Sequence, residues 1–338
     1  MLYFAGSPPR FLFLIFTAPP DFSFTIMARR LNPIIRFTRA LFPIVVGVLI
    51  VVVAFEAWIV YRVTHPVRTA FSITPAHYQI FTGDSMAWSE EQWDNSDGTK
   101  ATGWFLRGVT GAPAIILNHG YGKNRSELLN LGVKLCEAGY HVLLPDLRGH
   151  GKSPITYSSL GSYEKSDVST AINFVKSKKN AQGQLLTDGS RIGLYGVSIG
   201  GYAAVTATPE NPTVKVVIAD GLYPKPDWLT QRMVQETFNT SPALVNQLAN
   251  GGLQAYFAGT YGESSAAESL SRFKDQKLWL ITYPSSNAQL EELNKTTLDL
   301  FQQAQFPKEI ARLDKSRHEL SDAYDDRVIA IFRKDLAR

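Results

Sequence analysis

From about residue 70 onward, short continuously apolar runs alternate with segments whose apolar residues recur at helical spacing. That alternation restricts the fold more than any other feature of the chain. Residues 114–117, 141–145, 191–195, 214–219, 278–282 and 309–313 read as strands. Between them, 126–138 sets Leu128, Leu131, Leu135 and Ala138 along one helical face, and 163–179 does the same with Val168, Ile172 and Val175. Residues 199–208, 290–304 and a closing segment from about Glu319 also read as helices. A strand that is apolar on both faces needs cover on both, and interleaved helices supply it when successive strands run parallel. The expected class is therefore α/β: a mostly parallel central sheet flanked by helices. An Asp97-Gly98 turn between 86–94 and 99–107 adds a hairpin. Residues 222–273 interrupt the alternation and are too long for an ordinary connection, so they are expected to form a cap or lid.

The first seventy residues are of another kind. Residues 41–61 (LFPIVVGVLIVVVAFEAWIVY) hold one ionisable group, Glu56. As a helix this stretch is ~31 Å long, close to the hydrocarbon thickness of a bilayer. Its length, and the poor cleavage site at Ala54-Phe55-Glu56-Ala57, favour an uncleaved transmembrane anchor over a signal peptide or a core helix. Arg29, Arg30, Arg36 and Arg39 precede the span, whereas Arg62 and Arg68 follow it. The positive-inside bias then puts the N-terminus in the cytoplasm and the body from about Thr69 outside it. Met27-Ala28-Arg29-Arg30 reads as the natural start of such a signal-anchor, which leaves 1–26 as an upstream extension. The expected organisation is an N-terminal segment at 1–40, a membrane span at 41–61 and a folded body at 62–338.

Charge narrows the function. The net charge of +4 resides in the N-terminal region, where seven Arg stand against Asp21 and Glu56. Residues 70–338 balance to −1, so the body lacks the basic footprint of a nucleic-acid binder. Cys136 is the only cysteine, which excludes an intrachain disulfide and a cysteine-based metal cage. No H-E-x-x-H, EF-hand or dinucleotide-binding glycine pattern occurs, and neither a metal nor an organic cofactor is expected.

The sharpest motif is Gly196-Val197-Ser198-Ile199-Gly200-Gly201, directly after an apolar strand and directly before a helix. A sharp strand-to-helix turn strains its central residue and leaves no room for bulk two positions either side, hence G-x-S-x-G. The turn would lift Ser198 above the sheet edge, at the positive end of the following helix. His119-Gly120-Tyr121-Gly122 follows one strand, and Pro145-Asp146-Leu147-Arg148-Gly149-His150-Gly151-Lys152-Ser153 follows the next. Together with a late His318, these segments resemble the α/β-hydrolase fold family in its serine-hydrolase branch, over about residues 86–336.

The resemblance implies a nucleophile at Ser198 and an oxyanion hole made by the backbone N–H groups of Tyr121 and Ile199. Each such donor is typically worth ~3 kcal/mol of transition-state stabilisation. His119 and residues 146–153 are expected to shape loops rather than to react. The family order runs nucleophile, acid, base, and of the six histidines only His318 follows Ser198, which makes it the expected general base. The acid departs from the family pattern. The turn after the seventh strand reads Tyr283-Pro284-Ser285-Ser286-Asn287 and holds no carboxylate. Asp220, at the end of the sixth strand, is the first candidate and Asn287 the second. The implied activity is that of a membrane-anchored serine hydrolase, taking a small-molecule or lipid-like acyl substrate, most simply a carboxylic ester. A peptidase or acyltransferase with the same nucleophile, and a catalytically inactive hydrolase-fold binding module, are the alternatives.

Overall fold

The structure is a computed structural model that describes residues 32–82, 86–284, 288–303, 308–314 and 322–336. Eight strands form one sheet: β1 (Trp88–Asp94), β2 (Lys100–Leu106), β3 (Pro113–Asn118), β4 (His141–Asp146), β5 (Asp188–Val197), β6 (Val214–Asp220), β7 (Lys277–Thr282) and β8 (Lys308–Arg312). Their spatial order is β1-β2-β4-β3-β5-β6-β7-β8. The β1–β2 hairpin and the β2–β4 pair are antiparallel, and all other pairs are parallel. This is the expected class, with the antiparallel hairpin at one edge.

The apolar runs are explained by cover on both faces. Ala114 and Ile116 of β3 point into one core cluster, Ile115 and Leu117 into the other, and all four are fully buried. Each such side chain contributes roughly 2 kcal/mol when removed from water. The helices, in chain order, are α1 (Pro33–Thr64), α2 (Pro75–Thr82), α3 (Leu129–Glu137), α4 (Glu164–Ser177), α5 (Ile199–Ala207), α6 (Pro226–Phe238), α7 (Ala243–Tyr256), α8 (Ala266–Ser271), α9 (Ala288–Gln303) and α10 (Asp322–Asp335). Val168 and Ile172 of α4 and Ala203 of α5 fill the first cluster, while Leu131 of α3 and Phe332 of α10 fill the second. Helices α6 to α8 occupy the long segment between β6 and β7.

The strand order locates the working edge. After β3 the chain steps to β4 on one side, then crosses back through α4 to β5 on the other side of β3. The loops leaving β3 and β5 therefore diverge although the strands are neighbours, and the sheet opens a crevice at their carboxyl ends. Asn118 and Gly196, paired across β3 and β5, mark that point.

The chain divides at Val51/Val52 into two compact units. Helix α1 is the one helix among the described residues that is long and apolar enough to cross a membrane. Up to Val51 its large apolar side chains, such as Phe42, Val48 and Ile50, are exposed. From Val52 its residues belong to the unit that contains the sheet. Within that unit Ile59, Val60 and Val63 are buried in the core, and Phe55 and Trp58 lie about one ring width from Phe238 at the end of α6. A Cβ on Gly252 of α7 would stand 2.7 Å from Val60 Cγ2, so the absence of a side chain permits this approach. The sequence expectation started the folded body at residue 62. Hydropathy measures apolar length alone and does not distinguish a lipid neighbour from a protein one, and the packed unit starts about ten residues earlier.

Candidate active site

Ser198 carries φ +50° and ψ −112°, a region that non-glycine residues occupy only when their surroundings compel it. The surroundings are explicit. Its N–H donates to the main-chain oxygen of Asp220 at 2.8 Å, and its own carbonyl accepts the N–H of Tyr202 at 2.9 Å. A Cβ on Gly196 would collide with the backbone of Gly200, and one on Gly200 with the carbonyl of Asn118. The glycines of the motif are thus required by backbone contact, and the resulting elbow turns Ser198 toward a cavity at the sheet edge.

Tyr121 borders the same cavity, and its loop is held from several sides. Glu127 Oε2 accepts the Gly120 N–H at 3.2 Å. The Nδ1 of His119 faces the Gly120 carbonyl at 2.8 Å, and its Nε2 accepts the N–H of Leu147 at 3.0 Å. His150 repeats the arrangement, with Nδ1 facing the Arg148 carbonyl at 2.8 Å and Nε2 accepting the Gly122 N–H at 3.0 Å. A carbonyl can only accept, so both rings carry their proton on Nδ1 and both are neutral. Burial pushes His119 down to about 4 and His150 down to about 3, which keeps them so at physiological pH. These imidazoles are occupied in shaping loops. The Tyr121 hydroxyl donates to the carbonyl of Val63 at 2.6 Å, which ties the loop to the last turn of α1. Neither the N–H of Tyr121 nor that of Ile199 has an acceptor among the hydrogen bonds of the described residues. At the first turn of α5, Ile199 is one of the positions whose N–H a helix leaves unused.

Asp146, at the end of β4, supports the neighbouring loop. Its carboxylate accepts the N–H of Arg125 at 2.9 Å and that of Lys152 at 2.8 Å. Arg148 pairs with Asp167 at 2.5 Å and with Asp97 at 3.1 Å, which fixes the loop to α4 and to the β1–β2 turn.

Asp220 ends β6 directly beside Val197, the residue before Ser198. It is 2% exposed and lines the cavity with Ser198. Its Oδ2 accepts the hydroxyl of Tyr324 from α10, and Tyr283 lines the same cavity, its phenol pushed up by burial and by the Asp220 charge. Ser198, Tyr121 and Asp220 are thus assembled around one cavity. His318 and Asn287 fall at 315–321 and 285–287, outside the described residues. Sequence reasoning missed the tyrosines. Tyr283 stands directly after β7, where a carboxylate was sought, whereas Tyr324 carried no local signal at all.

The cavity measures about 210 Å³. Trp228, Leu229 and Met233 of α6 and Leu293 of α9 supply apolar wall. Besides Asp220, its charged members come as two neighbouring pairs along the chain, Lys123 with Glu127 and Arg232 with Glu236, the latter bridged at 3.0 Å. No group of three or more His, Cys, Asp or Glu among the described residues is placed to hold a metal ion.

A mostly parallel eight-stranded sheet, a strained strand-to-helix turn at Ser198 on its switch point and three helices inserted between β6 and β7 define the class as α/β. A model of the α/β-hydrolase fold matches residues 113–312, more than half of the chain, and the protein belongs to that family. It is similar to YfhR of Escherichia coli K12, an uncharacterised protein, with 32% identity over 157 residues, or 44% of this chain. That match spans 52% of YfhR, about half of its length. In fold it is similar to the Pyrococcus furiosus esterase Pf2001, with a TM-score of 0.61 and 20% identity, covering 81% of this chain and 98% of the esterase. It is also similar to a dienelactone hydrolase of Anabaena variabilis, with a TM-score of 0.51 and 18% identity, covering 75% of this chain and 100% of that one.

Proposed function

We propose that the protein is a serine hydrolase acting on a small carboxylic ester. The observation that carries this reading is Ser198, held at φ +50° on a glycine-framed elbow and facing a cavity shared with Asp220 and the Tyr121 loop. Ser198 Oγ attacks the acyl carbonyl as His318 takes its proton. The Tyr121 and Ile199 N–H groups receive the negative charge that develops on the carbonyl oxygen. His318 then gives the proton to the leaving alcohol oxygen, and an acyl-enzyme remains. Water loses a proton to His318 and attacks the acyl carbon. Collapse of that intermediate returns the proton to Ser198 and frees the acid. Asp220 orients the imidazole and balances its charge through the cycle.

An ester is favoured because two structural relatives are named as an esterase and a lactone hydrolase. A cavity of about 210 Å³ with apolar walls suits a short acyl group rather than a long chain. It lies below the ~300–1,000 Å³ of sites that enclose drug-sized ligands. A fluorophosphonate probe tests the reading, since it phosphonylates only an activated serine. The full-length protein is expected to be labelled at Ser198. An unlabelled wild-type protein would support the inactive binding-module alternative instead.

The anchor belongs to the same proposal. Of the apolar stretch 41–61, the exposed part up to Val51 holds the enzyme at a membrane, with the N-terminus cytoplasmic and the hydrolase domain on the other side. The apolar, exposed first part of α1 and the excess of arginines before it support this orientation. Protease added outside intact cells, or outside spheroplasts where an outer barrier exists, should digest the domain. Complete protection until the membrane is broken would reverse the orientation.

A further inference from the structure

The carboxylate of Asp220 ends a hydrogen-bond relay from β5 through α10, and Tyr283 stands on the same cavity wall. Tyr324 of α10 donates its hydroxyl hydrogen to Asp220 Oδ2. The Tyr195 hydroxyl of β5 lies 2.8 Å from that of Tyr324. A phenol has a single hydrogen to give, and Tyr324 has spent its own on the carboxylate. Tyr195 must therefore donate to Tyr324, and the dipoles align in the order Tyr195 to Tyr324 to Asp220. Tyr283 approaches from the end of β7 and shares the cavity wall with Asp220, its phenol pushed well up by burial and by the charge of that carboxylate. Its main-chain oxygen accepts Asn294 Nδ2 of α9 at 2.6 Å, which fixes the residue at its base. Tyr195, Tyr283 and Tyr324 are 0%, 7% and 2% exposed.

A carboxylate taken out of water takes up a proton unless donors hold its charge. The Tyr324 hydroxyl supplies such a donor, and Tyr195 behind it polarises it further. They also restrict rotation about the Asp220 side chain, whose main-chain oxygen is already committed to the Ser198 N–H.

We propose that Tyr324 and Tyr283 are positioning residues that hold Asp220 ionised and aimed at the general base, in the role that the turn after β7 does not fill with a carboxylate of its own. The inference rests on the reading of Asp220 as the triad acid. Among the described residues, the titratable groups beside Asp220 are Tyr283 from the end of β7 and Tyr324 from α10, with Tyr195 from β5 behind Tyr324. Lys123, Glu127, Arg232 and Glu236 are the other charged groups of the cavity wall.

The test uses full-length Tyr324→Phe, Tyr283→Phe and the double variant, assayed on p-nitrophenyl butyrate across pH. Active-site titration with a fluorophosphonate normalises each rate to the folded fraction. Each single change should lower kcat on the order of 10-fold with KM nearly constant, since a hydrogen bond to a charged group is removed and the wall shape is kept. The acid limb of kcat/KM should move to higher pH. An Asp220 with fewer donors is more basic, and it favours the protonated form of its imidazole partner as well. A purely structural role would lower Tm and leave the normalised kcat and the pH profile at wild-type values, and that result would overturn the proposal. Asp220→Asn, measured alongside, separates the two readings. If Asp220→Asn is inactive while both tyrosine variants behave as wild type, the positioning role fails and the acid stands. If Asp220→Asn is fully active, the acid assignment fails and the positioning role falls with it.

Discussion

Ser198→Ala is expected to abolish ester hydrolysis while leaving the sheet and its helices intact. The side chain borders a cavity that already exists, so removing one hydroxyl opens no new void in the core. Alanine keeps the same Cβ at the same φ of +50°, and the hydrogen bonds that hold the elbow run through the main chain. Loss of a triad nucleophile costs on the order of 10⁴–10⁶ in kcat, because what remains is the oxyanion hole and substrate binding. The measurement is turnover of p-nitrophenyl butyrate together with the circular dichroism spectrum. An unchanged spectrum with turnover within tenfold of wild type would remove Ser198 from the chemistry.

Asp220→Asn is the second change with a large expected effect. The amide has nearly the same shape, and the main-chain oxygen that accepts the Ser198 N–H is untouched. The negative charge is lost, and an amide can present an N–H where the imidazole N–H needs an acceptor. The wrong tautomer of His318 is then favoured, and kcat should fall by up to ~10⁴. Asn287→Ala should do little on the same assay. A reversed ranking, with Asn287→Ala inactive and Asp220→Asn active, would make a side-chain amide oxygen the partner of His318. Burial argues for Asp220, since a carboxylate at 2% exposure, served by the Tyr324 hydroxyl, is a costly feature to maintain without use.

The turn at Ser198, the sheet and the long apolar helix were legible in the sequence because each depends on residues that are adjacent or a few positions apart. A strand-to-helix turn excludes bulk two positions either side, and Gly196 and Gly200 meet backbone at those points. A strand covered on both faces must be apolar throughout, as Ile115 and Ile116 are when they enter opposite cores. The stretch 41–61, with Glu56 as its one ionisable group, also announces itself. Element ends were less legible. Strand β5 begins at Asp188, and Arg191, half-buried, pairs with Asp188 at 2.5 Å on a polar extension that carries no apolar signal.

What the tertiary structure alone decided is which distant side chains share a site. Tyr324 reaches Asp220 across 104 positions of chain, and Tyr121 reaches the Val63 carbonyl across 58. No local periodicity encodes such pairs, because their meeting depends on the strand order and on how α10 and α1 pack after the sheet has formed. The packing of residues 55–63 of α1 inside the folded unit belongs to the same kind of information. An apolar side chain gains by leaving water whether its new neighbour is a lipid tail or Phe238, so composition is silent on the choice and only contact decides it.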